Sequence, residues 1–459
     1  MNISRLLVVI LVALGATACV QSSMDDPTGK GNIRGLNAAV GAPPVAFLIG
    51  ERVLDVPVFK QATVATPFDD TNFVLNFDYL FSGDTVPTRL TSVEFKLVKD
   101  NDYLFIFTGS ITEPSSMLWE RSVRAWDGTE TVMQVRFGHL SPQLGEVDFY
   151  LNPPGIIPVA GEALATLGNG NRSEATELPA GDYEFFITSK DNPSDILFHS
   201  PSTAFAASAD YLLATFDPDP AITSPISVRL ITENGVSVEV PNLLAPPSLR
   251  IIHAAFGTGA VDLFRDNDFS APLISNLAHG DVSAEVAGAF APSTYSFTPA
   301  GNIGTVLQEE DFGIADALRT TRFLLGPPGS LETLAVVDDT RQVDDTPRIR
   351  LVQLAGSQQF VDIYLVDIGT DIADVNPQFP QLFFKGNTRY VVFPAKTYEM
   401  YATLPGSKDV LAGPLAFTLL SGDVAHFMLL DTVDPNVLNL VKYEHLSSAA
   451  ALPGPAAVQ

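Results

Sequence analysis

Leu249, Ile251 and His253 fall to one side of an extended run, with Arg250 and Ile252 to the other. That two-residue period is the signature of a β-strand. A break at Gly257-Thr258-Gly259 follows, and alternation resumes at Val261. The pattern recurs along the chain. RLVQLAGSQQFVDIYL begins at Arg350, RIIHAAFGTGAVDLF at Arg250, RFGHLSPQLGEVDFYL at Arg136, and a worn copy, RGLNAAVGAPPVAFL, at Arg34. In each copy a polar residue stands three places after the Arg (Asn37, His139, His253, Gln353) and a Val eleven places after it (Val45, Val147, Val261, Val361). Asp follows that Val in three copies, as Asp148, Asp262 and Asp362. Later in the last three copies come tyrosine-led strands at Tyr183, Tyr295 and Tyr398, and then further apolar strands such as Asp210 to Phe216 and His426 to Leu430. About seven short strands per repeat, separated by turns and without an amphipathic helix, predict a β-sandwich in each.

Self-similarity at a near-fixed period therefore divides the chain into four units. Units of about 100 residues are long enough to bury a core and fold alone. The expected bounds are 32–131 for a degenerate first unit, then 132–244, 245–345 and 346–446, with a low-complexity, disordered tail at 447–459. Joints near residues 131, 245 and 346 are expected to be cut first by protease. Four units in tandem predict a rod, and the linkers at 241–247 and 338–347 are too short to be flexible spacers, so neighbouring units are expected to touch.

Residues 1–18 read as an export signal: Arg5 supplies the positive end, and Leu6 to Leu14 is too short an apolar run to span a bilayer. Ala16-Thr17-Ala18-Cys19 fits ordinary secretory cleavage and also resembles a bacterial lipobox, with Ala16 where Leu is usual. Cys19 is the only cysteine, so no intramolecular disulfide can form, and it stands where a lipobox places its lipid attachment site. Residues 19–31 would be the lipidated cysteine and a polar tether. Val20 after the cysteine, by likeness to Gram-negative lipoproteins, favours the outer membrane. Which face of that membrane the units occupy is left open by the sequence.

At the repeated opening, R-h-h-H-A with V-D-h-Y starting eleven residues after the Arg, the chain resembles the bacterial envelope family called domain-of-unknown-function 4397. The likeness continues through Val261 to Val282, and repeat one follows it only in spacing, with Ala46 in place of the Asp. The resemblance implies an immunoglobulin-like or related β-sandwich, usually on exported and often anchored proteins, which with the four repeats makes an all-β chain of four tandem immunoglobulin-like sandwiches. It implies no activity and brings no catalytic residues.

Charge and chemistry narrow the function. Lys+Arg 26 against Asp+Glu 53 gives a formal charge of −27, which repels nucleic acid and anionic head groups. The six histidines form no HExxH or other metal-ligand spacing. His139 and His253 stand where the other copies have Asn37 and Gln353, an exchange that suits a hydrogen-bonding strand end better than a metal ligand. Gly168-Asn169-Gly170-Asn171 lacks the Lys-Ser/Thr of a phosphate loop and reads as a turn. Asp100-Asn101-Asp102 and Asp266-Asn267-Asp268 read as turns rather than calcium loops, which need six to eight oxygens. No catalytic, cofactor or metal residue is expected. The favoured function is a non-catalytic outer-membrane lipoprotein for structural, adhesive or scaffolding contact, held to the membrane by its lipid. A glycan- or polymer-binding module, with Trp119 and Trp126 as first candidates, is the alternative, and an enzyme with an interdomain site follows. The repeated Arg and Asp are twelve residues apart, which predicts cross-strand pairs in a hairpin: Arg136–Asp148, Arg250–Asp262 and Arg350–Asp362. Arg34, facing Ala46, should lack such a partner.

Overall fold

The computed structural model describes residues 27–81, 84–314 and 318–443. Cys19, the signal segment and the 447–459 tail lie outside the described residues. Each repeat forms two packed sheets. In the third unit one sheet has the strand order Val286–Ala287, Ser248–His253, Arg319–Leu325, Glu332–Val337; the other runs Ile274–Leu277, Val261–Arg265, Ser293–Pro299, Gln308–Phe312. The first and fourth units repeat this plan, and the second is a variant of it with an added strand in each sheet. In every unit the Arg-bearing strand pairs in parallel with a strand from late in the repeat: Arg34 faces Leu104, Arg136 faces Leu212, Arg250 faces Thr321 and Arg350 faces His426.

The alternation read from sequence sets what faces inward. Leu249 and Ile251 from one sheet, and Val261 and Leu263 from the other, meet in the third unit's core with Tyr295 and Phe297. The second unit does the same with Phe137, Phe149 and Phe185, rings stacked at 5.4 to 6.0 Å.

This arrangement corrects the predicted hairpin. The two motif strands lie in different sheets, so Arg136–Asp148, Arg250–Asp262 and Arg350–Asp362 are not cross-strand neighbours. The Gly/Ser/Pro stretch between them crosses from one sheet to the other. Arg250 and Asp262 each alternate with core residues, so both point away from the core, on opposite outer faces of the sandwich.

Neighbouring units touch, as the short linkers predict, and every sheet is built from strands of a single unit. In each Arg strand the outward positions after the Arg are apolar or glycine, and they are buried against another unit. Leu36, Ala38, Leu104, Ile106 and Trp119 of the first unit form one cluster with Leu140, Ala214, Phe216 and Ile231 of the second. Ile252, Ala254, Phe323 and Leu325 of the third join Val352, Leu354, Met428, Leu430 and Tyr443 of the fourth. Gly138 stands where the other copies have Leu36, Ile252 and Val352; a Cβ there would lie 2.6 Å from the Trp119 ring. The glycine makes the seat for the first unit's tryptophan.

The two pairs also touch. Arg341, from the segment before the fourth unit, donates to the Val40 and Ala42 carbonyls at 3.1 and 3.2 Å, and the Asp344 N–H to Gly41 O at 2.8 Å. Arg319 of the third unit donates through its backbone to Ala221 O at 2.9 Å and through Nε to Ile222 O at 3.2 Å. Asp338, Arg341, Val343 and Thr346 are buried, which corrects the expectation of an early protease cut near residue 346. Trypsin should spare Arg341 in the native protein. Peptide mapping that finds it among the first cleavages would contradict the packing.

Candidate functional site

The densest charged constellation is the cleft between the first two units. Arg34 meets Asp102 through two bonds, Nε to Oδ1 at 3.0 Å and a second from Nη2 to Oδ2, and reaches Thr232 O of the second unit at 3.1 Å. Arg136 pairs with Asp210 at 2.9 Å. Arg121 joins the halves, 2.9 Å from Asp102 and 3.0 Å from Asp210. Both carboxylates are buried. Arg172 donates to Glu120 O at 2.9 Å. Burial pushes its pKa down, and the neighbouring Arg136 and Arg121 charges push the same way. The free space left in the cleft is about 20 Å³, room for one water. The cleft is a filled ionic joint, with no volume for an organic substrate.

Each repeated Arg therefore finds an acceptor other than the motif Asp, and Arg34 is no exception. Asp102 and Asp210 stand two residues before the position facing the Arg on the parallel strand. In the third unit that position holds Arg319, and Glu285 serves both arginines, 2.9 Å from Arg250. In the fourth, Arg350 pairs with Asp338 at 2.6 Å and donates to Val337 O at 2.8 Å.

The motif aspartates are backbone clamps. Asp262 accepts from the N–H groups of Asn276 at 2.7 Å and Gly301 at 2.8 Å. Asp362 accepts from Gln381 at 2.7 Å and Gly406 at 2.8 Å. Asp148 takes Asp191 N–H at 2.8 Å and the Thr166 hydroxyl at 2.5 Å. Five of these six donors are backbone N–H groups, all at residues of positive φ, between 51° and 71°. Asn276 and Gln381 also mark β-bulges opposite the aspartates. The carboxylate fixes backbone that L-residues otherwise avoid.

The polar residue three places after the Arg pins the crossover. Ser141 N–H donates to His139 Nδ1 at 3.3 Å, which leaves the proton on Nε2, bonded to Gly145 O at 2.9 Å. His253 does the same with Ala255 at 3.2 Å and Gly259 at 2.7 Å. Gln353 reproduces both bonds with its amide, to Ala355 and Gln358. Asn37 accepts from Ala39 and donates to Pro43 O. The strand-end reading of these four residues thus holds.

Burial lowers the pKa of both histidines, against the opposing bonds to Gly145 and Gly259 and the pull of Asp217 and Asp281, and His279 lowers that of His253 further. The unfolded imidazole, near 6.5, takes a proton that the folded one refuses. Stability from these residues is therefore complete above about pH 6.5 and is lost as pH falls toward the folded values. His139→Gln with His253→Gln should unfold with a flatter pH dependence below 6.5 than wild type. Parallel wild-type and variant curves in chemical denaturation would contradict this.

The other sequence candidates resolve similarly. Trp119 is buried between units and donates to Gly170 O at 3.2 Å; Trp126 is stacked with Arg124 at 4.0 Å. Asp102 belongs to the ionic joint, while Asp100 and Asp266 are turn residues with φ of 60° and 57°. Among the described residues no three His, Cys, Asp or Glu side chains converge as metal ligands. Sequence reading missed Glu285, Asp338 and the capping role of the motif aspartates, all of which depend on contacts made after folding.

No curated protein matches the chain. Similar solved structures include the Bacillus anthracis TIE protein, at 10% identity over 89% of this chain and 69% of that one, with a TM-score of 0.15. CBMbc (family CBM26) from Eubacterium rectale Amy13K, solved in complex with maltoheptaose, is 15% identical over 45% of this chain and 98% of its own, with a TM-score of 0.17. A Streptococcal ancillary pilin is 10% identical over 65% and 99%, with a TM-score of 0.12. Likenesses this distant have no bearing on function. Residues 247–364, which hold the third unit and the opening two strands of the fourth, match the family described as Domain of unknown function (DUF4397).

Proposed function

We propose that this is a non-catalytic, lipid-anchored protein of the outer membrane whose four β-sandwiches are locked into one body that serves as a scaffold for other envelope components. The observation that supports it most is the fate of the repeated polar residues. The arginines close joints between or beside units, the aspartates clamp backbone, and the +3 residues pin crossovers. Each is engaged by the fold itself, and of them Asp148 alone also borders a cavity of more than one water's volume. The lipobox-like Ala16-Thr17-Ala18-Cys19 supports the anchor. Several acyl chains on one cysteine would hold firmly, at about 0.8 kcal/mol per buried CH₂.

Cys19→Ala should move the protein from the membrane fraction to the soluble fraction, or leave its precursor uncleaved. Mass spectrometry of native protein carrying a mature, unmodified N-terminal Cys19 would overturn the anchor. Protease shaving of intact cells then distinguishes the outer face from the periplasmic one.

A further inference from the structure

The second and fourth units differ at one outward-facing spot. In the fourth, Tyr364 follows Asp362 by two on the outer face and is buried under Ile372 and Val375. Lys408 lies over it, with Nζ 4.4 Å from the ring centroid. The ammonium donates to the Ile372 and Val375 carbonyls at 2.6 and 2.5 Å. The turn that delivers the lysine is fixed by Gly406, whose N–H bonds Asp362.

In the second unit Tyr150 stands at the same place relative to Asp148, and Asp191 N–H bonds Asp148 as Gly406 bonds Asp362. Two residues on from Gly406 is Lys408; two on from Asp191 is Pro193. Where Lys408 covers Tyr364 in the fourth unit, Tyr150 of the second borders a cavity of about 250 Å³, lined also by Pro193, Ala160, Gly161, Asp148 and Asp191, among others. Its floor, Asp148 and Tyr150, is buried, while Ala160, Gly161 and Asp191 at the rim are exposed. The nearest cation in sequence, Lys190, is engaged elsewhere by Glu146 at 2.7 Å.

We propose that this cavity of the second unit binds a primary alkylammonium group, the chemistry of a lysine side chain on a partner protein, in the place that Lys408 occupies within the fourth unit. The cavity offers what an ammonium needs: a tyrosine ring at the base, which attracts cations, and the carboxylates of Asp148 and Asp191 in its lining. Burial raises the Tyr150 pKa, a hydrogen bond with Thr188 opposes it, and the negative charges of Asp148, Asp191 and Glu162 raise it further, consistent with a field that favours a cation. The inference is independent of the anchor and of the scaffold reading.

The test is calorimetric titration of the full chain with Nα-acetyl-L-lysine methylamide, with the Nε-acetylated compound as the neutral control. One saturable site per chain is expected for the amine and none for the control. Pro193→Lys, which supplies the second unit with its own ammonium, should weaken binding at least tenfold without lowering the melting temperature. Lys408→Ala should open a second site and raise the stoichiometry to two. Lys190→Gln should leave binding unchanged. Absence of saturable binding, equal binding of the neutral compound, or undiminished binding to a folded Pro193→Lys protein would overturn the proposal. So would a Lys408→Ala protein that folds and still binds a single amine.

Discussion

Replacing Asp210 by alanine should destabilise the joint of the first and second units by about 3–5 kcal/mol, the loss typical when one partner of a buried ion pair is removed. Asp210 is the shared acceptor for Arg136 at 2.9 Å and Arg121 at 3.0 Å, and its side chain is only 3% exposed. Without it two guanidinium groups remain in a cleft that already holds Arg34 and Arg172. The penalty is thus that of uncompensated buried charge, more than the loss of two contacts. Trp119 fluorescence in a Trp126→Phe background reports this joint, because its ring seats on Gly138 across the interface. The denaturation midpoint of that signal should fall, and added salt should restore little, since a buried network is weakly screened. Asp210→Asn, which keeps an acceptor but not the charge, should fall between wild type and Asp210→Ala. A loss below about 1 kcal/mol for Asp210→Ala would place the network in the class of exposed surface pairs.

Much of the architecture was legible because it repeats. Alternation at Leu249 to His253 and again at Val261 marked strands, and the exchange of His139 and His253 for Asn37 and Gln353 marked a hydrogen-bonding role. The Arg partners were illegible because they come from far along the chain. Asp102 is 68 residues from Arg34, and Asp210 is 74 from Arg136. A twelve-residue spacing suits a hairpin within one sheet and a crossover between two sheets equally well, and the hairpin reading favoured the local option. One signal did separate them. Leu249 and Ile251 are apolar on one face, and Ile252 and Ala254 are apolar on the other. A strand that is apolar on both faces is covered on both, which argues for a unit packed against its outer side. The Arg that leads this outer row then sits at a joint, where the joint chooses its partner: Glu285 in the third unit, Asp338 in the fourth. The cavity beside Tyr150 was illegible for a similar reason, since only the folded fourth unit shows that Lys408 belongs in that space.

The second large effect is expected at the motif aspartates. Asp262→Ala should cost about 3 kcal/mol, because it strands the N–H groups of Asn276 and Gly301, each bound by a buried carboxylate, at about 1.5–3 kcal/mol per charged hydrogen bond. Asn276 has φ of 51°, so the clamp also loses its hold on a left-handed residue that is intrinsically unfavourable. Arg250→Ala should be destabilising as well, through the loss of a buried side chain and of its bond to Glu285. The informative quantity is their coupling. Arg250 and Asp262 lie on opposite outer faces of a sandwich whose sheets stand about 10 Å apart, and they share no partner. Their double-mutant cycle should therefore close to within about 0.5 kcal/mol. A cross-strand ion pair, as the twelve-residue spacing suggests, would instead leave a coupling of 1 kcal/mol or more. The same cycle at Arg350 and Asp362 should also close, since Asp362 clamps Gln381 and Gly406 while Arg350 is held by Asp338. Strong coupling at either pair would mean that the motif strands meet edge to edge, which is incompatible with the two-sheet crossover.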